Sequence, residues 1–168
     1  LRMACRESRC THLELIFLIA ICTGMRKGEI LGLTFESLDL TRGYIRLLRT
    51  KNGSARSIPI SDVLHPYLIL AKNTGPKNLL FPSPNNFKKP LCINTAYTSA
   101  VRRAGLTDYT FHDNRHTAAS YMAKNGTSLL LLTEIFGWKT MEMAKRYAYL
   151  QPSAGIAAIN DMNKEILG

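Results

Sequence analysis

The segment HDNRHTAASYM holds the densest set of chemically useful side chains in this sequence. On a helix, His112 and Arg115 stand three residues apart and project from one face. An imidazole beside a guanidinium makes a compact cationic, hydrogen-bonding pair suited to phosphate oxygens. An ordinary helix start with polar caps would use the same residue types. His112 and His116, four apart, also have the spacing of a metal pair. A helical zinc-protease site needs Glu directly after the first His and a third ligand. Here Asp113 follows instead, and Arg115 would set positive charge beside the cation. The pattern favours an anion over a metal.

The other candidates are weaker singly. Arg26 follows a break at Gly24, and Glu29 lies three residues on, where it can face the dipole of its own helix start. Lys51 immediately precedes Asn52-Gly53, at the tip of a predicted hairpin. A lysine on such a tip is usually just solvated, but it can also reach a ligand held nearby. Trp138, the only tryptophan, follows Gly137. Tryptophan is commonly a core or interface residue, and its indole N–H can donate one hydrogen bond. Tyr147 lies nine residues later in AKRYAYL, with Tyr149 as its rival. Two residues along a helix turn a side chain by about 200°, so only one of the two can face a given site.

Positioning these residues falls to elements that the sequence also marks. Thr11-His-Leu-Glu14 has capping-box spacing and predicts a helix that stops at Gly24. That helix is apolar almost all round, which makes it the buried central one. A short helix is predicted over residues 27–33. Residues 44–49 and 56–60 read as strands joined by TKNGSA, where Asn-Gly is a strong hairpin signal. Residues 35–40 are a candidate third, edge strand. Ser61 can cap a helix reaching about Lys72. Residues 73–92, rich in Pro, Asn, Gly and Lys, predict a loop. Helices follow over 93–104, 111–124, 128–136 and 140–150, and an amphipathic stretch over 154–167. The expected fold class is mainly α with a small antiparallel β-sheet, α+β, in one domain over residues 1–168. There is no repeat, no GxGxxG and no Walker lysine motif, which argues against a nucleotide cofactor.

Composition narrows the partner. The chain has 168 residues and a formal charge of +10, with 46% hydrophobic residues, an ordinary globular fraction. Residues 41–115 alone hold twelve basic and three acidic side chains, so nearly all the excess sits there. Such a local excess suggests a polyanion, nucleic acid or an anionic membrane surface, with a solubilising basic face as the plain alternative. The longest apolar run, residues 15–22, is far short of the roughly 20 needed to span a bilayer. No signal-peptide order is present. The cysteines are Cys5, Cys10, Cys22 and Cys92, without a CxxC pair. Cys5, Cys10 and His12 lack a fourth ligand and a common zinc spacing. The expected setting is a reducing cytoplasm.

No single signal decides, but their order does. Arg26, Lys51, His112-x-x-Arg115, Trp138 and Tyr147, in sequence, resemble the catalytic domain of the tyrosine recombinases, the phage-type integrases and their relatives. TGMRKGEILGL resembles that family's first arginine box, and TKNGSARSIPIS its lysine hairpin and following strand. HDNRHTAASYMAKNGTSLLLLTEIFGWKT resembles its second box, and MEMAKRYAYL its tyrosine segment, so the resemblance covers essentially the whole chain.

The resemblance implies the DNA breaking-rejoining fold and a phosphodiester cleavage. In it Tyr147 attacks phosphorus, Arg26 and Arg115 hold the non-bridging oxygens, and Lys51 protonates the leaving 5′ oxygen. His112 would bind phosphate and assist proton movement near the nucleophile, while Glu29 orients the site. Trp138 stands where most members carry His, which favours hydrogen bonding over proton transfer there. The product would be a 3′-phosphotyrosyl link, made without ATP, metal or cofactor. The implied partners are double-stranded DNA at recombination sites, a homotetramer that passes through a Holliday junction, and accessory DNA-bending proteins, in a bacterial, nucleoid-associated setting. Two positions depart from the pattern: Asn114 replaces the usual Leu, and Tyr149 a common His. The chain starts at Leu1, so it reads as the C-terminal part of a protein whose core-binding and arm domains lie upstream. Residues 154–167 resemble a tail helix that packs on a neighbouring protomer, with an intramolecular amphipathic helix as the alternative. The rival functions are type IB topoisomerase-like DNA relaxation and a non-catalytic DNA-binding module.

Overall fold

The computed structural model describes residues 1–47, 55–74, 78–151 and 154–167. The chain opens with α1 (Arg2–Arg6) and the apolar α2 (Leu13–Thr23). Leu13, Ile16, Phe17, Leu18, Ile19 and Ala20 of α2 are all buried, as its all-round apolar sequence requires. α2 ends at Gly24 in the left-handed conformation, φ 64°. Next come α3 (Lys27–Leu31), a 3₁₀ turn over Phe35–Ser37, and an antiparallel sheet of β1 (Leu38–Asp39), β2 (Tyr44–Leu47) and β3 (Arg56–Pro59) in that order. In its register Ile45 faces Ile58, so both buried residues point to one side. Then follow α4 (His65–Thr74), the ribbon β4 (Pro82–Ser83) and β5 (Asn86–Pro90), α5 (Asn94–Arg103), α6 (Asp113–Lys124), α7 (Leu129–Phe136), α8 (Met141–Lys145) and α9 (Ala154–Leu167). The mainly α fold with small antiparallel sheets is the class that the sequence predicts.

Two apolar cores hold this together. The larger gathers Leu13, Ile16 and Ile19 of α2 with Ile45, Ile58, Leu68 and Phe81. The smaller joins Ala118, Ala119 and Ala123 of α6 to Leu132, Phe136, Trp138, Ala144 and Tyr147. Each large apolar side chain buried this way contributes about 1.5–3 kcal/mol. α2 packs against α6, so the seam between the cores runs along these two helices.

Several sequence expectations need correction. Glu14 does not close a capping box with Thr11. α2 starts at Leu13 behind His12, with no side-chain cap, and Glu14 instead pairs with Arg2 at 3.1 Å. α1, which the sequence pattern does not announce, brings Arg2 there. The edge strand at 35–40 shrinks to Leu38–Asp39, because Thr34 and Ser37 hydrogen-bond into a turn first. The loop at 73–92 contains the β4–β5 ribbon, anchored by Leu80 and Phe81, which are buried, and by the Leu80 N–H donating to Leu33 O at 2.7 Å. The helix at 140–150 ends at Lys145, and the chain resumes as a 3₁₀ turn over Ala148–Leu150. The hairpin turn, and with it Lys51, lies outside the described residues. Among the described residues no helix is long and apolar enough to cross a membrane.

Candidate active site

Two helix ends create the setting. Gly24 closes α2, and Gly137 closes α7 at φ 57°. Both left-handed positions suit glycine, and both are crowded as well. A Cβ on Gly24 would lie 2.3 Å from the Phe136 ring, and one on Gly137 2.6 Å from the Arg56 guanidinium. The end of α2 therefore approaches Phe136 of α7 more closely than a residue with a Cβ permits, while the Arg56 side chain of β3 packs against Gly137.

Arg115 fills the space between the two helix ends. It is 4% exposed, donating from Nη1 to Gly24 O at 2.6 Å and from Nη2 to Phe136 O at 2.5 Å. Carbonyls at helix C-termini carry partial negative charge, so they can hold a cation without a carboxylate. Burial lowers the Arg115 pKa to about 10, helped by the positive charges of Arg26 and Arg56, with Glu29 opposing. It remains a cation at neutral pH. A guanidinium has five N–H donors, so two carbonyl bonds leave three for an anion. Arg115 and His112 line one cleft of about 280 Å³ with Met25, Lys27, Thr110 and Phe111. They do so differently from two equivalent groups on one helix face. His112 precedes α6 and is exposed, while Arg115 is buried. Burial first, then the charges of His116 and Arg115, lowers the His112 pKa and favours its neutral form.

A second ionic group abuts the first. Glu29 accepts from the Arg26 backbone N–H at 2.9 Å and pairs with Arg26 Nη1 at 3.1 Å. It also receives Arg56 Nη2 at 2.8 Å. Thus Glu29 stiffens its helix start, as its spacing suggests, and also ties α3 to β3. Burial pushes the Glu29 pKa up, but the Arg56 bond, the Arg26 backbone bond and both charges outweigh it, so it falls below the usual carboxylate range. Arg56 has an 8% exposed side chain, and its Nε is buried without a hydrogen-bond partner among the described residues. Sequence reasoning did not single it out. The available signal is that Arg56 shares the inward register of β3 with Ile58, an unusual place for a cation.

Tyr147 sits at the other side of the seam. Its ring stacks on Trp138 at 5.5 Å and 7°, and Trp138 stacks on Phe136 at 4.9 Å. The Arg115 guanidinium lies 5.7 Å over the Trp138 ring. The Trp138 ring meets Phe136, Tyr147 and Arg115, and its stacking fixes the plane of Tyr147. Tyr147 Oη is 2.6 Å from His116 Nδ1. Burial raises the Tyr147 pKa, with the Arg115 charge opposing. Tyr147 is 7% exposed and packed into the seam, whereas Tyr149 is 81% exposed. His116 entered sequence reasoning only as a metal ligand beside His112. Among the described residues no three His, Cys, Asp or Glu side chains cluster as a metal site. Asn114 is fully buried yet satisfied: it donates to Tyr97 Oη at 2.7 Å and Phe111 O at 2.9 Å, and accepts from Tyr109 Oη at 3.1 Å.

Residues 1–153 match the model of the phage integrase family. The chain belongs to the phage integrase family. It is 31% identical over 147 residues to the integrase of Salmonella phage P22, across 80% of this chain and 38% of that one. It is 34% identical over 140 residues to the shufflon-specific DNA recombinase of Escherichia coli, across 83% of this chain and 35% of the relative. The chain therefore spans well under half the length of either. The catalytic domain of bacteriophage HP1 integrase has the same fold, with a TM-score of 0.79 and 30% identity over 99% of this chain and 92% of that one. Arg26 and Glu29 follow α2, His112 and Arg115 stand at the start of α6, and Trp138 and Tyr147 follow α7 and α8.

Proposed function

We propose that this chain is the catalytic domain of a mobile-element integrase that cleaves and rejoins DNA site-specifically through Tyr147. The observation that carries the proposal is the meeting of a buried phenol with a preorganised buried guanidinium. Tyr147 and Arg115 both pack on Trp138, and the Arg115 charge acts on the phenol. Arg26 and Arg115 meet the charge that develops on the non-bridging oxygens; each such donor is worth about 10²–10³ in rate. Arg26 is held for this by Glu29, and Arg115 by two helix ends. Tyr147 forms a bond to phosphorus as the 5′ oxygen leaves. His112 contacts phosphate beside Arg115, Trp138 fixes the tyrosine, and Lys51 is the acid for the leaving oxygen. The link to Tyr147 conserves the bond energy, so rejoining draws on no ATP.

Double-stranded DNA is the partner, and the names of the two relatives and the basic central segment support this. Exchange would proceed in a homotetramer with accessory DNA-bending proteins, on the bacterial nucleoid. An N-terminal core-binding domain would complete the grip on DNA, and α9 would pack on a neighbouring protomer. Its exposed Ile159, Met162 and Ile166 favour that arrangement. The test is a nicked duplex carrying the protein's own attachment site, incubated with the natural full-length protein without ATP. A denaturation-resistant protein–DNA adduct is expected. No adduct would defeat the proposal, and relaxation of plasmids lacking the site would favour a topoisomerase.

A further inference from the structure

The geometry points to His116 as the proton acceptor for Tyr147, an assignment that rests on Tyr147 being the nucleophile. A phenol is a weak nucleophile until its proton has somewhere to go. Tyr147 Oη is 2.6 Å from Nδ1 of His116, within the distance at which a proton is shared directly. With the proton still on the phenol, Oη donates to Nδ1 and the imidazole carries its own hydrogen on Nε2.

The neighbouring groups do not fill this role. Arg115 is a permanent cation whose Nη atoms donate to Gly24 and Phe136. Trp138 presents its ring face to Tyr147. His112 packs its ring edge-to-face on His116 at 4.9 Å, whereas it is His116 whose Nδ1 meets Tyr147 Oη. Placement also suits proton transfer. His116 is exposed while Tyr147 is buried, so a proton on the imidazole has a path to solvent. His116 directly follows Arg115 on α6, so one rigid turn sets both the oxygen-binding guanidinium and the base.

Oη bonds to phosphorus while its proton passes to Nδ1, giving an imidazolium. The bond from phosphorus to the 5′ oxygen breaks, and that oxygen takes a proton from a lysine ammonium, the role given to Lys51. In rejoining, the 5′ hydroxyl oxygen bonds to phosphorus and its proton returns to the amine. The bond from phosphorus to Oη breaks, and the imidazolium gives its proton back to Tyr147.

The experiment compares single-turnover adduct formation by the natural full-length protein and its His116→Asn, His116→Ala and Tyr147→Phe variants, at saturating protein. Two nicked substrates are used, one with a 5′ oxygen and one with a 5′ sulfur as leaving atom. Sulfur departs without protonation, so it relieves only a missing acid. Asparagine keeps a polar atom near the Nδ1 position but cannot carry the proton. Both His116 variants are expected to slow adduct formation about 10²–10⁴-fold, with no rescue by sulfur. Wild-type rates in His116→Asn would overturn the assignment and make the residue a positioning one. Rescue by sulfur would make it an acid, and faster cleavage would make its bond a latch; either overturns the proposal. An adduct in Tyr147→Phe would defeat the nucleophile reading itself, which separates the two failures.

Discussion

At the scale of single residues, the site rests on buried polar groups with named partners, Arg115 on two carbonyls and Glu29 on two arginines, while Arg56 Nε has none among the described residues. Asn114 is a buried amide whose polar atoms all have partners. Its amide serves Tyr97, Tyr109 and Phe111 at once. Replacing it with Leu leaves the buried Tyr97 hydroxyl without its partner. Asn114→Leu should lower stability by about 1–3 kcal/mol in denaturant unfolding. Adding Tyr97→Phe should recover much of that loss, because the stranded Tyr97 hydroxyl is then gone and Tyr109 keeps Thr117 at 3.4 Å. No recovery would mean that the Asn114 network stabilises by packing instead. Arg26, Arg115, Trp138 and Tyr147 were legible as an ordered set, since each carries a distinctive side chain in a marked segment. His116 and Arg56 were not. His116 lies 31 residues from Tyr147 in sequence, and only the packing of α6 against the segment after α8 joins them. Arg56 looks like one more basic residue in a basic segment until its strand register is known.

At the scale of elements, helix ends do the positioning. The central apolar helix, its stop at Gly24 and the sheet were legible from hydrophobic pattern and turn residues. α1 and the β4–β5 ribbon were not, because α1 is too short to show a period and the ribbon is built from Pro and Asn. The pairing of Gly24 with Phe136, and of Gly137 with Arg56, is tertiary and has no local signature. Gly137→Ala places a Cβ in the left-handed region against Arg56 and should cost about 1–3 kcal/mol by thermal or denaturant unfolding. Arg56→Met removes one of the two cations on a largely buried carboxylate that keeps Arg26, and should cost about 1.5–3 kcal/mol. The pH dependence has a definite sign. The depressed Glu29 pKa stabilises the fold above the unfolded carboxylate pKa, and that contribution is lost as pH falls through the lower folded value. In Arg56→Met, burial is opposed by Arg26 alone, so the acid limb of the stability curve should move to higher pH. An unmoved limb would show that Arg56 does not set the Glu29 charge.

At the scale of the whole molecule, the basic excess divides into two populations. Arg56 and Arg115 are buried inside the site, whereas Arg42, Arg46, Lys88, Lys89 and Arg102 are exposed. Under the proposed function, the exposed group would serve attraction to DNA and the buried pair the local chemistry. DNA affinity should fall steeply with salt, with log K against log salt sloping about −0.9 for each phosphate contacted. A flat response would contradict a DNA role for the exposed charge. The chemistry turns on one oxygen atom, Tyr147 Oη, and peptide mapping of the protein–DNA adduct identifies the residue that carries the link. After nuclease and protease digestion, mass spectrometry should find the nucleotide 3′-phosphate on the peptide tyrosine at position 147. Nucleotide on Tyr149, or on any residue outside the α2–α6 seam, would contradict the account.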